Sequence, residues 1–252
     1  MRSLILLGAL FSPALLAQTV IEVEPHSFMR LPSNSSVLLL ERLEIADHGT
    51  LLIPPGLTEL RVAELRLGRD ARIAIAPAEQ ALRLEVAQGE IASGAQISAR
   101  GAQGTLQQPA SPGRTLSIRL QALVTESLLV DARGGAGASG YAGLDGADGQ
   151  AGGCTWGQAE RGHDGQDGGD GQSGAAGARV RLELPADFPA QSLQLRLEGG
   201  AGGPAGKAGN GGQGLSKGCW LYSTQAAGAG RPGQAGKPGA QGPAGAVDLV
   251  RF

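Results

Sequence analysis

The sequence predicts an all-β protein: a short β-solenoid of two stacked sheets that carries two long glycine-triplet excursions. Two observations favour this fold. Period-two apolar runs recur in repeated copies, and glycine recurs at every third position in the second half of the chain. The 252 residues include 43 Gly and only 3% aromatic residues, which suits a narrow core of Leu, Val, Ile and Ala. A β-sandwich built from the same strands, with the same bundle, is the alternative.

The chain begins with a stretch that is typical of a secretory signal peptide. Residues 1–17 (MRSLILLGALFSPALLA) place one Arg before an apolar run that ends in a small residue. The run is too short to span a bilayer, and no later segment reaches that length. We therefore expect cleavage after residue 17 and export to the bacterial periplasm or the cell exterior. Residues 18–36 are expected to be a lead-in to the repeats.

Repeated copies of a two-strand unit follow the lead-in. Each copy holds two runs in which apolar and polar residues alternate, separated by a short kink, and this period indicates strands with one face in a core. The solenoid is predicted over residues 37–132, with a further copy at 178–197 and a closing strand at 246–252. The full copies are residues 37–53, 58–75, 81–99, 114–132 and 178–197.

The connections between copies lengthen along the chain, from residues 54–57 to 76–80 and then 100–113. The last two, residues 133–177 and 198–245, are the glycine-rich hairpins. Each is expected to run out along one glycine-triplet helix with three residues per turn and to return along another. Four such helices packed side by side could satisfy one another's backbone hydrogen bonds.

Two devices are expected to hold the hairpins together. Cys154 and Cys219 lie in the two turns, and in an exported protein this placement predicts a disulfide that joins the tips. Within the first hairpin, residues 134–177 carry six acidic residues and a single Arg, whereas residues 199–245 of the second carry four basic residues and no acid. Opposite charges are expected to place the hairpins alongside each other and to set their register rather than their stability.

The aromatic residues of the tip turns form the candidate recognition site. Trp156 lies beside Cys154, while Trp220 and Tyr222 flank the other turn, with Arg161 and Lys217 nearby. Two interpretations remain open. The rings could cap the disulfide, or they could form a binding surface for a sugar or a cell-surface partner, because exposed aromatics make good contact anchors.

Other chemistry is disfavoured. Three His residues and no nucleophile–base arrangement predict neither an enzyme nor a metal or cofactor site, and the charge balance disfavours a nucleic-acid partner. Asp164, Asp167 and Asp170 would lie about 9 Å apart along a three-residue helix, which is too far for two of them to ligate one calcium ion. A solvated acidic edge, or calcium bridging to a neighbouring helix, remains open for them.

The glycine series at 135–177 and 199–245 resembles that of polyglycine-II bundle proteins, such as snow-flea-type antifreeze proteins and the tip adhesins of phage tail fibres. The strand repeats are similar to the β-solenoid stems of secreted bacterial adhesins. The resemblance implies a non-enzymatic surface or matrix protein that binds through loops at the bundle tip, here residues 154–161 and 217–224. Binding to ice or another repetitive surface by a bundle face is one alternative. A structural subunit that forms homo-oligomers through the solenoid ends is another.

Overall fold

The computed structural model describes residues 19–32 and 35–252. The predicted signal peptide, residues 1–17, lies outside this range. The described chain is all-β and forms two parallel sheets of seven and six strands, with no closed barrel. Its single helical element is a 3-10 turn, Ala190–Ser192, and no helix in the described ranges is long and apolar enough to cross a membrane.

Strands alternate between the two sheets along the chain, and each strand pairs in parallel with the next strand of its own sheet. The chain therefore winds as a coil. The seven-stranded sheet contains β1 (Val20–Val23), β3 (Val37–Ile45), β5 (Glu59–Leu67), β7 (Leu82–Ile91), β9 (Leu116–Thr125), β11 (Arg179–Leu184) and β13 (Ala246–Arg251). The six-stranded sheet contains β2 (Phe28–Arg30), β4 (Thr50–Ile53), β6 (Arg72–Ile75), β8 (Ala95–Ser98), β10 (Leu128–Asp131) and β12 (Leu193–Arg196).

The core is a single aliphatic cluster to which both sheets contribute. Equivalent residues of successive coils lie directly beside each other, because the strand registers repeat from coil to coil. One such inward column contains Leu38, Leu60, Leu84, Ile118, Leu182 and Leu249. The composition explains this core, since small and branched aliphatic side chains fill a narrow space between sheets without aromatic bulk.

The long strands of the seven-stranded sheet bend in the middle. In β3, the successive residues Glu41 and Arg42 both point outwards between the buried Leu40 and Leu43. The sheet thus has a part before the bend, which we call face one, and a part after it, face two; the six-stranded sheet is face three. Strand β1 pairs only with face two of β3, and β11 pairs only with face one of β9.

Strands β1 and β2 lie within residues 18–36, where the sequence predicts only a lead-in. They form a further coil, because they pair with β3 and β4. His26 and His48 occupy equivalent corners of successive coils: both have positive φ, 55° and 58°, and their rings stack with centroids 4.7 Å apart. Strands of four and three residues are too short for a period-two pattern to stand out.

A buried arginine holds together the corner from which the connections leave. The side chain of Arg114 is 1% exposed, and its guanidinium donates hydrogen bonds to the carbonyls of Pro55, Leu57 and Gln80 at 3.2, 2.6 and 2.8 Å. These carbonyls belong to two successive connections. Burial lowers the pKa of Arg114, but a guanidinium remains charged at any pH at which the protein is folded. Arg114 therefore supplies hydrogen-bond donors to carbonyls of two successive connections, among them the carbonyl of the buried Leu57.

Replacing Arg114 should destabilise the coil strongly. In Arg114→Met the carbonyls lose their donor while the space stays filled, and the free energy of unfolding should fall by about 3 kcal/mol. Urea unfolding followed by far-UV circular dichroism measures this change. Arg83→Met, which removes an exposed arginine of the seven-stranded sheet, is the matched control and should change stability by less than about 1 kcal/mol. Equal stability of the two variants would contradict the role assigned to Arg114.

Candidate functional site

Four extended arms, without helix or strand, connect the coil to the candidate tip. The first and second arms (134–149 and 160–177) form the first excursion, and the third and fourth arms (198–214 and 228–245) form the second. Glycine N–H groups at every third residue donate to carbonyls of neighbouring arms. In the first arm, these donors and their third-arm acceptors are Gly137 to Ala201, Gly140 to Pro204, Gly143 to Lys207, Gly146 to Asn210 and Gly149 to Gln213.

The hydrogen bonds connect each arm to at least two others. The second arm donates to the fourth, as from Gly165 to Arg231, and to the first, as from Gln166 to Leu144. The third arm donates to the second, and the fourth donates to the third. Arms two and three therefore lie in the middle of the group, with arms one and four on either side. In this arrangement the backbone N–H and C=O groups of the arms find hydrogen-bond partners in neighbouring arms.

Glycine is required because the arm backbones approach so closely. A Cβ atom on Gly203 would overlap the carbonyl oxygen of Ala138 in the first arm, and one on Gly202 would overlap the carbonyl oxygen of Gly239 in the fourth. The third arm therefore carries glycine pairs, because it lies against backbone on two sides. These pairs are 199–200, 202–203 and 211–212.

The acidic residues of the first excursion bind backbone rather than basic side chains. Five aspartates, each directly before a glycine, accept a hydrogen bond from a backbone N–H of the second excursion at 2.6 to 2.7 Å. The donors all directly follow a glycine, so both partners repeat every three residues. The pairs are Asp145 with Asn210, Asp148 with Gln213, Asp164 with Arg231, Asp167 with Gln234, and Asp170 with Lys237.

These contacts give the acidic residues a different role from the one that the charge balance predicts. The register between the excursions is marked by carboxylate-to-amide hydrogen bonds, not by ion pairs. In the described ranges, no group of His, Cys, Asp or Glu is arranged to hold a metal ion. The backbone N–H of Arg231 is the main cause that lowers the pKa of Asp164; partial burial opposes it, and the charge of Arg161 lowers the pKa further.

The predicted disulfide between Cys154 and Cys219 is confirmed, with Cα atoms 5.8 Å apart. It joins the loop between the first two arms to the loop between the last two. The second loop folds into a small hairpin, in which Lys217 and Thr224 pair through backbone and side chain. The hydroxyl of Tyr222 donates to the carbonyl of Cys154, which adds a second link between the loops.

The structure brings most of the predicted tip residues together. Trp156 and Trp220 are 89% and 95% exposed, so their rings do not cap the disulfide. Tyr222 and Lys217 are exposed on the same hairpin. Leu221, which the sequence did not single out, is exposed as well and lies between the aromatic residues of that hairpin.

The side chain of Arg161 makes two hydrogen bonds within the chain. Its guanidinium donates to the carbonyl of Ala229 at 3.0 Å and to the carboxylate of Asp164 at 2.9 Å. The side chain therefore ties the start of the second arm to the start of the fourth. Lys217 is the cation that remains exposed beside the aromatic residues.

Comparison of the chain with family models, with curated proteins and with solved structures gives no match.

A methyl group on one glycine should separate two arms. In Gly203→Ala the added Cβ meets the carbonyl of Ala138, so the N–H groups of Gly137 and Gly140 should lose their third-arm acceptors. Their amide exchange should become about fivefold faster, since each hydrogen bond contributes about 1 kcal/mol. Gly228→Ala is the matched control, because nothing lies within 4 Å of its added Cβ. Unchanged exchange in Gly203→Ala would contradict the close approach.

Acid should release the contact between Asp164 and Arg231. The pKa of Asp164 is lowered in the folded chain, so its contact contributes above the ordinary carboxyl pKa and is lost as pH falls through the lowered value. Exchange of the Arg231 amide, corrected for its intrinsic pH dependence, should therefore rise below about pH 4.

NMR titration of the Asp164 carboxyl and of the Arg231 amide measures this effect. In Asp164→Ala the Arg231 amide should exchange faster at every pH, without the acid step. Glu160→Ala, which removes another exposed acid of the same excursion, should keep the step. A carboxyl that titrates at or above the ordinary value of Asp would refute the contact.

Proposed function

We propose that this chain is an exported, non-enzymatic recognition protein that binds a sugar or a cell-surface receptor through its disulfide-linked tip. In this proposal the parallel sheets form a β-solenoid, and the four arms are polyglycine-II helices packed as a bundle. The solenoid anchors the bundle, and the bundle holds the tip away from it. We assign no catalytic role to any residue.

The exposure of Trp156 and Trp220 carries the proposal. Large aromatic side chains are usually at least partly buried. Two nearly fully exposed rings on neighbouring loops are therefore unusual for a surface in contact with water. Trp and Tyr are also the side chains that most often dominate the energy of an interface. Flat rings can pack against the apolar face of a sugar or against a protein surface, and Lys217 adds a polar contact.

The contacts between the two tip loops favour a binding surface that is preorganised. The disulfide and the hydrogen bond from Tyr222 to Cys154 fix the two loops relative to each other before any partner arrives. A rigid site loses less conformational entropy on binding than a mobile one. The disulfide also favours export, because such bonds persist in oxidising compartments.

Binding should depend on both tryptophans. The probes are a glycan array and intact cells, each tested with the wild-type chain and with the double variant Trp156→Ala/Trp220→Ala. The double variant should bind at least about tenfold more weakly, since truncating a central aromatic commonly costs 2 kcal/mol or more. Tyr141→Ala is the matched control, because it removes an exposed aromatic of the first arm away from the tip.

Two results would overturn this function. One is binding that is equally strong in the double variant and in the wild type. The other is no binding of the wild-type chain to either probe. Ice binding by a face of the bundle stays a prediction, which a measurement of thermal hysteresis tests.

A further inference from the structure

We propose that copies of this chain stack head to tail through the two ends of the coil, so that the strands continue from one copy into the next. The inference goes beyond recognition at the tip and does not depend on it. It rests on the open strand edges, on their phase, and on the side chains that the two ends present.

Both ends of the coil present unpaired strand edges. At the C-terminal end, and among the described residues, β13 pairs only with β11 and β12 pairs only with β10. At the N-terminal end, β2 pairs only with β4, and residues 37–40 of β3 pair only with β5, within the described residues. The free N–H and C=O groups of such edges are templates for pairing with another chain.

The order of the sheet faces at the C-terminal end continues into the order at the N-terminal end. The coil begins on face two with β1, passes to face three with β2, and reaches face one with residues 37–40. It ends on face three with β12 and on face one with β13. The next strand of a continued coil therefore belongs on face two, which is where β1 of a second copy would lie. It would meet residues 185–192 there rather than a strand edge, because β11 pairs only with face one of β9, so strand pairing across the junction is confined to faces one and three. In that copy β2 would meet β12, and residues 37–40 would meet β13, both in the parallel sense of the existing pairs.

Two inward columns continue across such a junction. Leu249 is the last residue of the column that begins with Leu38, so the two would become neighbours. On face three, Leu195 is the last residue of the column that begins with Met29. Leu249 and Met29 are 46% and 37% exposed in the single chain, although both lie in columns whose central members are buried. Stacking would cover them.

An outward column gives the most specific support. In the middle of face one this column contains only charged residues, and Arg61 and Arg119 form ion pairs with glutamates of the same column. At the two ends the charges are replaced by apolar residues, Leu39 and Val250. Apolar residues at these two positions are expected if the ends are buried against each other. The column reads Leu39, Arg61, Glu85, Arg119, Glu183 and Val250.

Two contacts oppose the junction, one inward and one outward. On the inward side, Arg251 ends the column that begins with the buried Leu40, so stacking would place a charged side chain beside it. Arg196 ends the face-three column that begins with Arg30, so stacking would bring two like charges together. Added salt should therefore favour assembly by screening this pair. The variant Arg30→Glu would replace the repulsion with an attraction and should lower the concentration at which assembly begins, by several-fold.

The experiment uses the exported chain, residues 18–252, and blocks one end at a time. Met29→Lys places a charge in the inward column at the N-terminal end, and Leu249→Lys does so at the C-terminal end, where inward-pointing charges prevent edge pairing. Leu144→Lys is the matched control, because it replaces an exposed apolar residue of the first arm. Circular dichroism establishes that each variant is folded.

Light scattering and analytical ultracentrifugation should show concentration-dependent growth of the wild type and of Leu144→Lys. Each end-blocked variant alone should stay monomeric. Their equimolar mixture should form one-to-one dimers, because each supplies the end that the other lacks. Electron microscopy of wild-type filaments should show an axial repeat of about 29 Å, the height of six strands.

Three outcomes would overturn the proposal. The first is a wild type that stays monomeric up to its solubility limit, with or without added salt. The second is a dimer formed by one end-blocked variant alone, which would mean that like ends pair. The third is assembly that the Trp156→Ala/Trp220→Ala variant abolishes, which would place the contact at the tip.

Discussion

The close approach of neighbouring backbones at every third residue is the constraint on which the glycine-rich half of the chain depends. Ordering glycine costs more conformational entropy than ordering any other residue, so many contacts must offset it. The N–H of Gly137 and its equivalents supply one backbone hydrogen bond per turn, and the aspartates add a second type of bond between the excursions. The disulfide closes the far end, and the coil fixes the near end. A side chain in place of a closely packed glycine such as Gly203 breaks the pattern, because a methyl group has no space against the neighbouring carbonyl.

The same architecture explains why the exposed apolar residues are concentrated where they are. The coil buries its aliphatic residues in repeated columns, and the arms consist mainly of small and polar residues. Large apolar side chains then remain exposed mostly at the tip, as with Trp220, and at the coil ends, as with Leu39 and Leu249. In the proposed assembly, each copy of the filament would carry one tip. Weak individual contacts could then add up along the filament through multivalency.

Much of this structure could be predicted from the sequence, because strand periodicity and glycine spacing are local signals. The all-β class and the pairing of Cys154 with Cys219 are confirmed.

The first coil was missed because its strands are short. The bends were missed because two successive outward residues, as at Glu41, look like an interruption of the pattern. The role of Arg114 depends on carbonyls that only the folded corner brings together. The aspartates were expected to face lysines and arginines, yet an amide that follows a glycine lies closer to them than any cation does. The glycine pairs of the third arm are visible in the sequence, but pairs also occur in the first and second arms, at 134–135 and 168–169, so the sequence does not identify the arm with backbone on two sides.

Residue-resolved amide exchange of the oxidised monomer tests the central claim most directly. If the arms are packed rods, protection should recur with period three, at Gly137, Gly140 and Gly143 and again at Gly165 and Gly168, whose N–H groups donate between arms. Uniformly fast exchange across residues 134–177 and 198–245 would mean that the arms are flexible tethers, and would contradict the account.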